Sequence, residues 1–486
     1  MVHIIDVLII GAVLILITFI GHILTKNKIS NVAGYFKGGN NMPWWAVSAS
    51  IIATKISALT FIALPAKVFV DGGNLEYALL IGGFILGNVI MAIVFVKPYY
   101  EENVYSPYDF ISIRIHPNAA VMSRVLFLIG TILSQAVRLL ATAIVLQVIS
   151  GMSITICIFI IMAFSVLWSW IGGIQTVIWT DLLLFFIFLL GGIVAIFYGV
   201  SGIQLNLPEM ISILDEKAKL ALLNISLDPQ KTYTLWAGLI GAAVFELGSN
   251  SIDQVICQRI MCCRDIKQAK KAVVVSALSV IPTIIMLLVG LVIFVYFHEN
   301  PLPTEFNYLR EPGQDGIFPY FVANQIPTGL SGIIIAGMFA AGISTLDSAL
   351  TALSQTTVVG IRKTIDSQTK YSDKGLLKRS RNFVAIWGII IALIAFFILE
   401  VTHNSTKGLI DVGLEVPGFV YGSLLGLALL ALRRHNGWKS AFIGAITACI
   451  FTIFLWMLNV SFFWWYPVAS IITFGIAYLL NKMFKI

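Results

Sequence analysis

Apolar positions in this chain are gathered into runs, not spread at the spacing of half-buried helices. Thirteen runs stand out, at about 4–24, 44–68, 75–97, 122–148, 153–171, 176–201, 234–259, 272–297, 328–360, 382–400, 408–432, 438–458 and 462–482. A helix needs about 20 apolar residues to cross a bilayer. The runs do not alternate polar and apolar residues, as the strands of a membrane barrel would. The pattern therefore predicts an all-α polytopic membrane protein. Two clusters interrupt it: Ala53-Thr54-Lys55-Ile56-Ser57-Ala58-Leu59-Thr60 and Gly342-Ile343-Ser344-Thr345-Leu346-Asp347-Ser348. Hydroxyls and charges at such depth are costly unless they face a cavity, an ion or a partner. Hydroxyls and free carbonyls meeting inside a bundle suit a small hard cation such as sodium.

Composition agrees with the pattern. Of 486 residues, 58% are hydrophobic and 11% charged, with mean hydropathy +0.93. A soluble domain carries about 25% charge. Lys and Arg are distributed unevenly between alternate loops. With the N-terminus outside, 23 fall in inner segments and 6 in outer ones, while Lys55 and Arg138 lie within runs. The positive-inside rule then puts the C-terminus in the cytoplasm, and the chain is expected in the plasma (cytoplasmic, or inner) membrane. The net charge of +7 needs no nucleic-acid partner.

The first run carries Asp6 and is followed by Lys26 and Lys28, the reverse of a signal peptide, so it is read as a retained helix. No soluble catalytic or signalling domain is expected after the last run. The outer segment 202–233 is amphipathic and is expected to lie on the membrane or cap the outer mouth. The inner segment 361–381 is basic and is expected to move. None of the five cysteines falls in an outer loop, so structural disulfides are not expected. No metalloprotease, nucleotide-binding or hydrolase motif occurs, which removes the anchors of an enzyme reading.

Four segments, in order, resemble motifs of the sodium:solute symporter family, whose members include sodium/glucose, sodium/proline and sodium/sialic acid transporters. They are Ala53 to Phe61, Gly172-Gly173 with Trp179-Thr180-Asp181, Asp253-Gln254 with Gln258-Arg259, and Ser344 to Leu350. The resemblance implies a LeuT-like core of two inverted five-helix repeats within about 13 helices. Residues 1–43 would form the first helix and loop, 44–201 the first repeat, 234–432 the second, and 438–486 two further helices. The first helix of each repeat should be broken near the midplane. In the second repeat, Gly248-Ser249-Asn250-Ser251 falls at the corresponding place.

By the same resemblance, a main sodium site falls on the backbone of Ala53, Ile56 and Ala341 and on the hydroxyls of Ser344 and Thr345. A second cation site would use Asp181 with the hydroxyls of Ser344 and Ser348; Asp347 stands where the sialic acid branch has a serine, and its extra carboxylate would strengthen that cation site, carry a proton or pair with a lysine. Arg138 would take a substrate carboxylate by two parallel hydrogen bonds. Ser57, Thr60 and Asn250 would face the solute. Lys55 departs from the family pattern. It is expected to pair with Asp347 or Asp181; contact with substrate and replacement of a coupling ion are the alternatives. Asp253 is expected to cap or pair at the inner gate, and Glu246 to face the cavity. The implied function is symport of sodium with a small anionic or zwitterionic solute by alternating access. Proton-coupled or uncoupled transport on the same fold, and a membrane receptor for the solute, are the rival readings.

Overall fold

The computed structural model describes residues 3–25, 41–104, 106–170, 174–361, 373–402, 406–435 and 437–484. Gly172-Gly173 and most of the basic inner segment lie outside these. The principal helices are α1 (Ile4–Thr25), α2 (Trp44–Lys55), α3 (Ala58–Phe69), α4 (Leu80–Val94), α5 (Pro117–Ser150), α6 (Ile154–Ser169), α7 (Ile174–Ser201), α8 (Ala243–Ile252), α9 (Gln254–Ile260), α10 (Ile266–Ser276), α11 (Val280–Glu299), α12 (Leu330–Gln355), α13 (Asp373–Thr402), α14 (Leu409–Glu415), α15 (Gly418–Leu432), α16 (Trp438–Met457) and α17 (Phe462–Phe484). Among the described residues there is no strand, only an isolated bridge between Met42 and Cys263.

Among the described residues, nine helices are long and apolar enough to cross a membrane, and α2 with α3 makes a tenth as a bent pair. Shorter apolar helical stretches cover Ile4–Phe19, Ile154–Ser169 and Ala237–Ile252. Every predicted run is therefore helical, but three fall short of that length test. The backbone reason for helix is the absence of water in the hydrocarbon layer, so that N–H and C=O groups must pair within the segment. Burial identifies the centre of the bundle. In the most apolar stretch of α12, 94% is buried, against 28% for α13.

Two helices are interrupted where polar residues offer the backbone another partner. The axis bends by 53° between α2 and α3. Ser57 is extended there and its hydroxyl accepts from the Leu59 N–H, capping α3. The second break separates α8 from α9 at Asp253, also extended, whose carboxylate accepts from the Val255 N–H at 2.7 Å. The expected break at 248–251 is thus corrected: those residues are helical, and the chain opens at Asp253, the better N-cap. Tyrosines satisfy the carbonyls released there. Tyr99 donates to Ser251 O at 2.6 Å and Tyr108 to Ile252 O at 2.8 Å.

Close approach of α4 to α8 depends on glycine. A Cβ on Gly87 would sit 2.6 Å from both the Ala243 carbonyl and the Glu246 Cβ. Gly83, one turn earlier, meets the Gly238 carbonyl in the same way. This small-xxx-small spacing lets two backbones touch.

The segment 202–233 is tied to α3. It holds the short helix Leu207–Glu216 with an Asn206/Glu209 capping box. Beyond it Lys219 is 2% exposed, and its ammonium donates to the carbonyls of Val68, Phe69 and Val70 at 2.9, 3.2 and 2.6 Å. Val68 and Phe69 carry carbonyls that a helix C-terminus leaves without helical partners, and Val70 O also accepts from the Gly73 N–H at 2.9 Å.

Candidate functional site

A cavity of about 170 Å³ lies between the two breaks. Thr54 to Ser57 and Thr60 line it from α2 and α3, Arg138 from α5, Glu246, Asn250 and Asp253 from α8 and its end, and Thr345 from α12. All five residues read as substrate-facing, Lys55, Ser57, Thr60, Arg138 and Asn250, line this one space.

The break explains its chemistry. Without the next turn of helix, the last carbonyls of α2 lose their usual donors. Arg138 takes one of them, donating from Nη1 to Thr54 O at 3.1 Å. Ala53 and Ile56 flank that position. Across from them α12 packs against both halves of the broken helix. There Thr345 donates to Ala341 O at 2.8 Å, and Ser344 donates to Asp181 Oδ1 at 2.7 Å. The sodium-site residues are therefore on facing elements, and their neutral oxygens fit a monovalent hard cation.

Lys55 does not pair with Asp347 or Asp181, which corrects that expectation. Its ammonium makes an ion pair with Glu246 and donates to Asn88 Oδ1 at 3.0 Å. Asn88 Nδ2 donates to Glu246 at 2.8 Å, and Asn250 Nδ2 donates to Asn88 Oδ1 at 3.1 Å and to Glu246 at 3.2 Å. Ser276 closes the group by donating to Asn88 Oδ1 at 3.2 Å. Lys55 leaves α2 toward α4 and α8, away from α12.

The proposed second-cation residues separate into two groups. Asp181 Oδ2 accepts from Arg259 at 3.1 Å and from Ser50 at 2.7 Å. Ser348 accepts from the same Arg259 nitrogen at 2.9 Å. Asp347 is elsewhere, accepting from Ser169 at 2.6 Å. Asp181, Ser344 and Ser348 are thus brought together around a guanidinium, and Asp347 is not among them. Arg259 is 1% exposed.

Asp253 caps α9, as expected at the inner break, and also accepts from the Tyr421 hydroxyl at 2.9 Å. Toward the C-terminal end of α3, Lys67 meets Asp411 of α14 at 2.9 Å, and the Tyr233 hydroxyl donates to the same carboxylate. Nearby, Asp315 accepts from the Leu409 N–H at 2.8 Å.

Sequence reasoning missed Asn88, Gln135 and the partner of Arg259. Asn88 has a signal: it is the sole strongly polar residue in the run from Leu80 to Val94. Gln135 lies three residues before Arg138, on the same helix face.

The comparisons with known proteins point the same way. A family model of the sodium:solute symporter family matches residues 35–451. The chain is 27% identical over 466 residues to a sodium/sialic acid symporter of Aliivibrio fischeri, covering 93% of this chain and 88% of that protein. It is 24% identical to sodium-coupled monocarboxylate transporter 2 of Bos taurus, with 93% and 72% covered. Its fold matches a Na+-coupled sialic acid symporter with TM-score 0.84, at 23% identity over 99% of this chain and 98% of that one. A weaker match, TM-score 0.54 at 13% identity with 93% and 95% covered, is to Mhp1, a nucleobase-cation-symport-1 family transporter. The helical architecture is accordingly LeuT-like, and this multi-pass membrane chain belongs to the sodium:solute symporter family.

Proposed function

We propose that this chain couples sodium entry to the import of a small carboxylate-bearing solute by alternating access across the plasma membrane. The N-terminus is outside, and residues 44–201 and 234–432 act as the two inverted repeats. The single observation that carries the reading is the position of Arg138. Its guanidinium lines the central cavity and holds Thr54 O, next to the carbonyls assigned to sodium.

Sodium, as cargo, is held by Ala53 O, Ile56 O, Ala341 O and the hydroxyls of Ser344 and Thr345. These oxygens come from the end of α2, at the break, and from α12, so binding draws the two elements together. The solute carboxylate sits on Arg138, with Ser57 and Thr60 beside it. Because both ligands favour the same arrangement, each raises the affinity of the other. Asp181 and Ser348 form a second cation position, filled here by Arg259. A sodium ion there requires the guanidinium to move. Asp347 is no ligand of it in this arrangement.

The test is uptake of a panel of small carboxylates, amino acids and sugars by the protein in proteoliposomes, with and without an inward sodium gradient. Sodium-driven uptake of an acid, weakened by Arg138→Lys, is the expected result. Uptake driven only by a pH gradient would favour proton coupling, in which the Lys55–Glu246 pair carries the proton. A neutral sugar as the sole transported solute would sink the carboxylate reading.

A further inference from the structure

The charges facing the cavity are largely answered from within the protein. Lys55 is neutralised by Glu246, and Asp253 is held by Val255 N–H and the Tyr421 hydroxyl. Arg138 is bound through Nη1 to a carbonyl and not to a carboxylate. A ligand carboxylate therefore has one evident cation to meet. Two further atoms are left over, and both are acceptors. Gln135 Oε1 and Asn250 Oδ1 are buried and receive no hydrogen bond. Gln135 is 7% exposed and Asn250 1%, and both line the cavity.

The Asn250 orientation is fixed by its surroundings. Its amide nitrogen faces Asn88 Oδ1 and Glu246 Oε1, so turning the amide over would set oxygen against two oxygens. The remaining oxygen has to be satisfied by something that donates. Gln135 stands one helical turn from Arg138 on α5, where side chains three residues apart are neighbours. A carboxylate on the guanidinium thus brings the rest of the solute toward the Gln135 side chain, which lines the same cavity. Leaving a buried acceptor without a donor is unfavourable, so a solute that supplies one is selected over one that does not.

A cavity of about 170 Å³ has room for a small organic acid. We infer that Gln135, with Asn250, sets specificity by reading a hydrogen-bond donor next to the solute carboxylate. The solute is then a small 2-hydroxy or 2-amino acid. This rests on the proposed role of Arg138 as the carboxylate contact and adds to it what the rest of the molecule must carry.

The experiment measures half-saturating concentrations by thermal shift in saturating sodium, using lactate, alanine, pyruvate and propionate. Pyruvate has nearly the shape of lactate but offers an acceptor where lactate offers a donor. Lactate or alanine should bind about tenfold or more tightly than pyruvate and propionate. Gln135→Met should shrink that preference to within about threefold while preserving the sodium-induced shift, which shows the variant is folded. Equal binding of pyruvate or propionate by the unaltered protein overturns the inference, and so does an undiminished preference in Gln135→Met. If no acid of the four binds, the carboxylate reading falls and takes the inference with it. Binding of all four without preference removes the inference alone.

Discussion

Removing either member of the Lys55–Glu246 pair should destabilise the protein far more than removing both. The side chains are 17% and 8% exposed, so the pair is largely out of water. Breaking such a pair leaves an uncompensated charge, at a cost of about 3–5 kcal/mol. The two singles should not be equal. In Lys55→Met the Glu246 carboxylate keeps two amide donors, Asn88 and Asn250, which places it near the lower figure. In Glu246→Gln the ammonium keeps Asn88 Oδ1 as an acceptor, but no negative charge, and the cost lies near the upper figure. The double variant Lys55→Met with Glu246→Gln loses both charges and should lie within about 1–2 kcal/mol of the native protein. Thermal unfolding of the purified protein in detergent, run on all four forms, gives the coupling directly. Both singles should unfold several degrees early and the double should recover most of the loss. Effects that simply add would show that Lys55 and Glu246 do not depend on each other, and the buried-pair account would have to be given up.

Ser344→Ala and Thr345→Ala should each raise the sodium concentration for half-maximal uptake by about tenfold, since a lost oxygen is worth about 1–3 kcal/mol; unchanged sodium dependence in the double variant would exclude the site. Arg259→Gln removes the cation from a carboxylate that is itself 3% exposed, so it should lower stability in the absence of sodium and enlarge the sodium-induced thermal shift, and a smaller shift than the native one would count against Asp181 as a cation ligand. Gly87→Leu should prevent α4 from seating on α8 and abolish folded protein, while Gly11→Leu, where a side chain meets open space, should be tolerated; comparable yields would refute the packing argument. Burial pushes the Asp315 carboxyl up to about 7; the Leu409 N–H bond opposes this, the charge of Asp411 adds to it and Lys67 opposes it. The folded state then binds more protons than the unfolded chain between the ordinary carboxylate range and about 7, so its contribution to stability is lost as pH rises through that window. Asp315→Asn should flatten this part of the unfolding profile between about pH 4 and about pH 7, and an unchanged difference would assign the pH dependence to another group.

Apolar runs near twenty residues were enough to locate the helices, because lipid leaves the backbone no other way to satisfy itself. Hydroxyls and a lysine in an apolar stretch marked the region around Ser57, and the family resemblance is what implied a broken helix there. Its counterpart was displaced to Asp253 because flexibility was weighed above capping: Gly248 and Asn250 tolerate an open chain, but Asp253 stabilises one. Lys55 shows a different limit. Several carboxylates lay within plausible reach, and which one it meets is decided by how closely α4 and α8 approach, a matter of Gly83 and Gly87 at a distance of more than 150 residues along the chain from α8. Gln135 carried no signal of its own. An unmatched oxygen becomes visible only when every neighbouring donor has been placed.

The Lys219 ammonium, seated on three carbonyls at the C-terminal end of α3, welds a surface loop to a half-helix. The two then behave mechanically as one lever. Any tilt of α3 is carried to the far end of the loop, so a fluorophore at Leu227, which is 81% exposed, reports the motion without touching the transport path. The same bond shields the amine. An impermeant amine-reactive reagent applied to the outer face should label Lys217 readily, its side chain being 50% exposed, and leave Lys219 untouched until the lever lifts. The ratio of the two labels, followed through sodium and solute additions, becomes a clock for the opening of the outer gate.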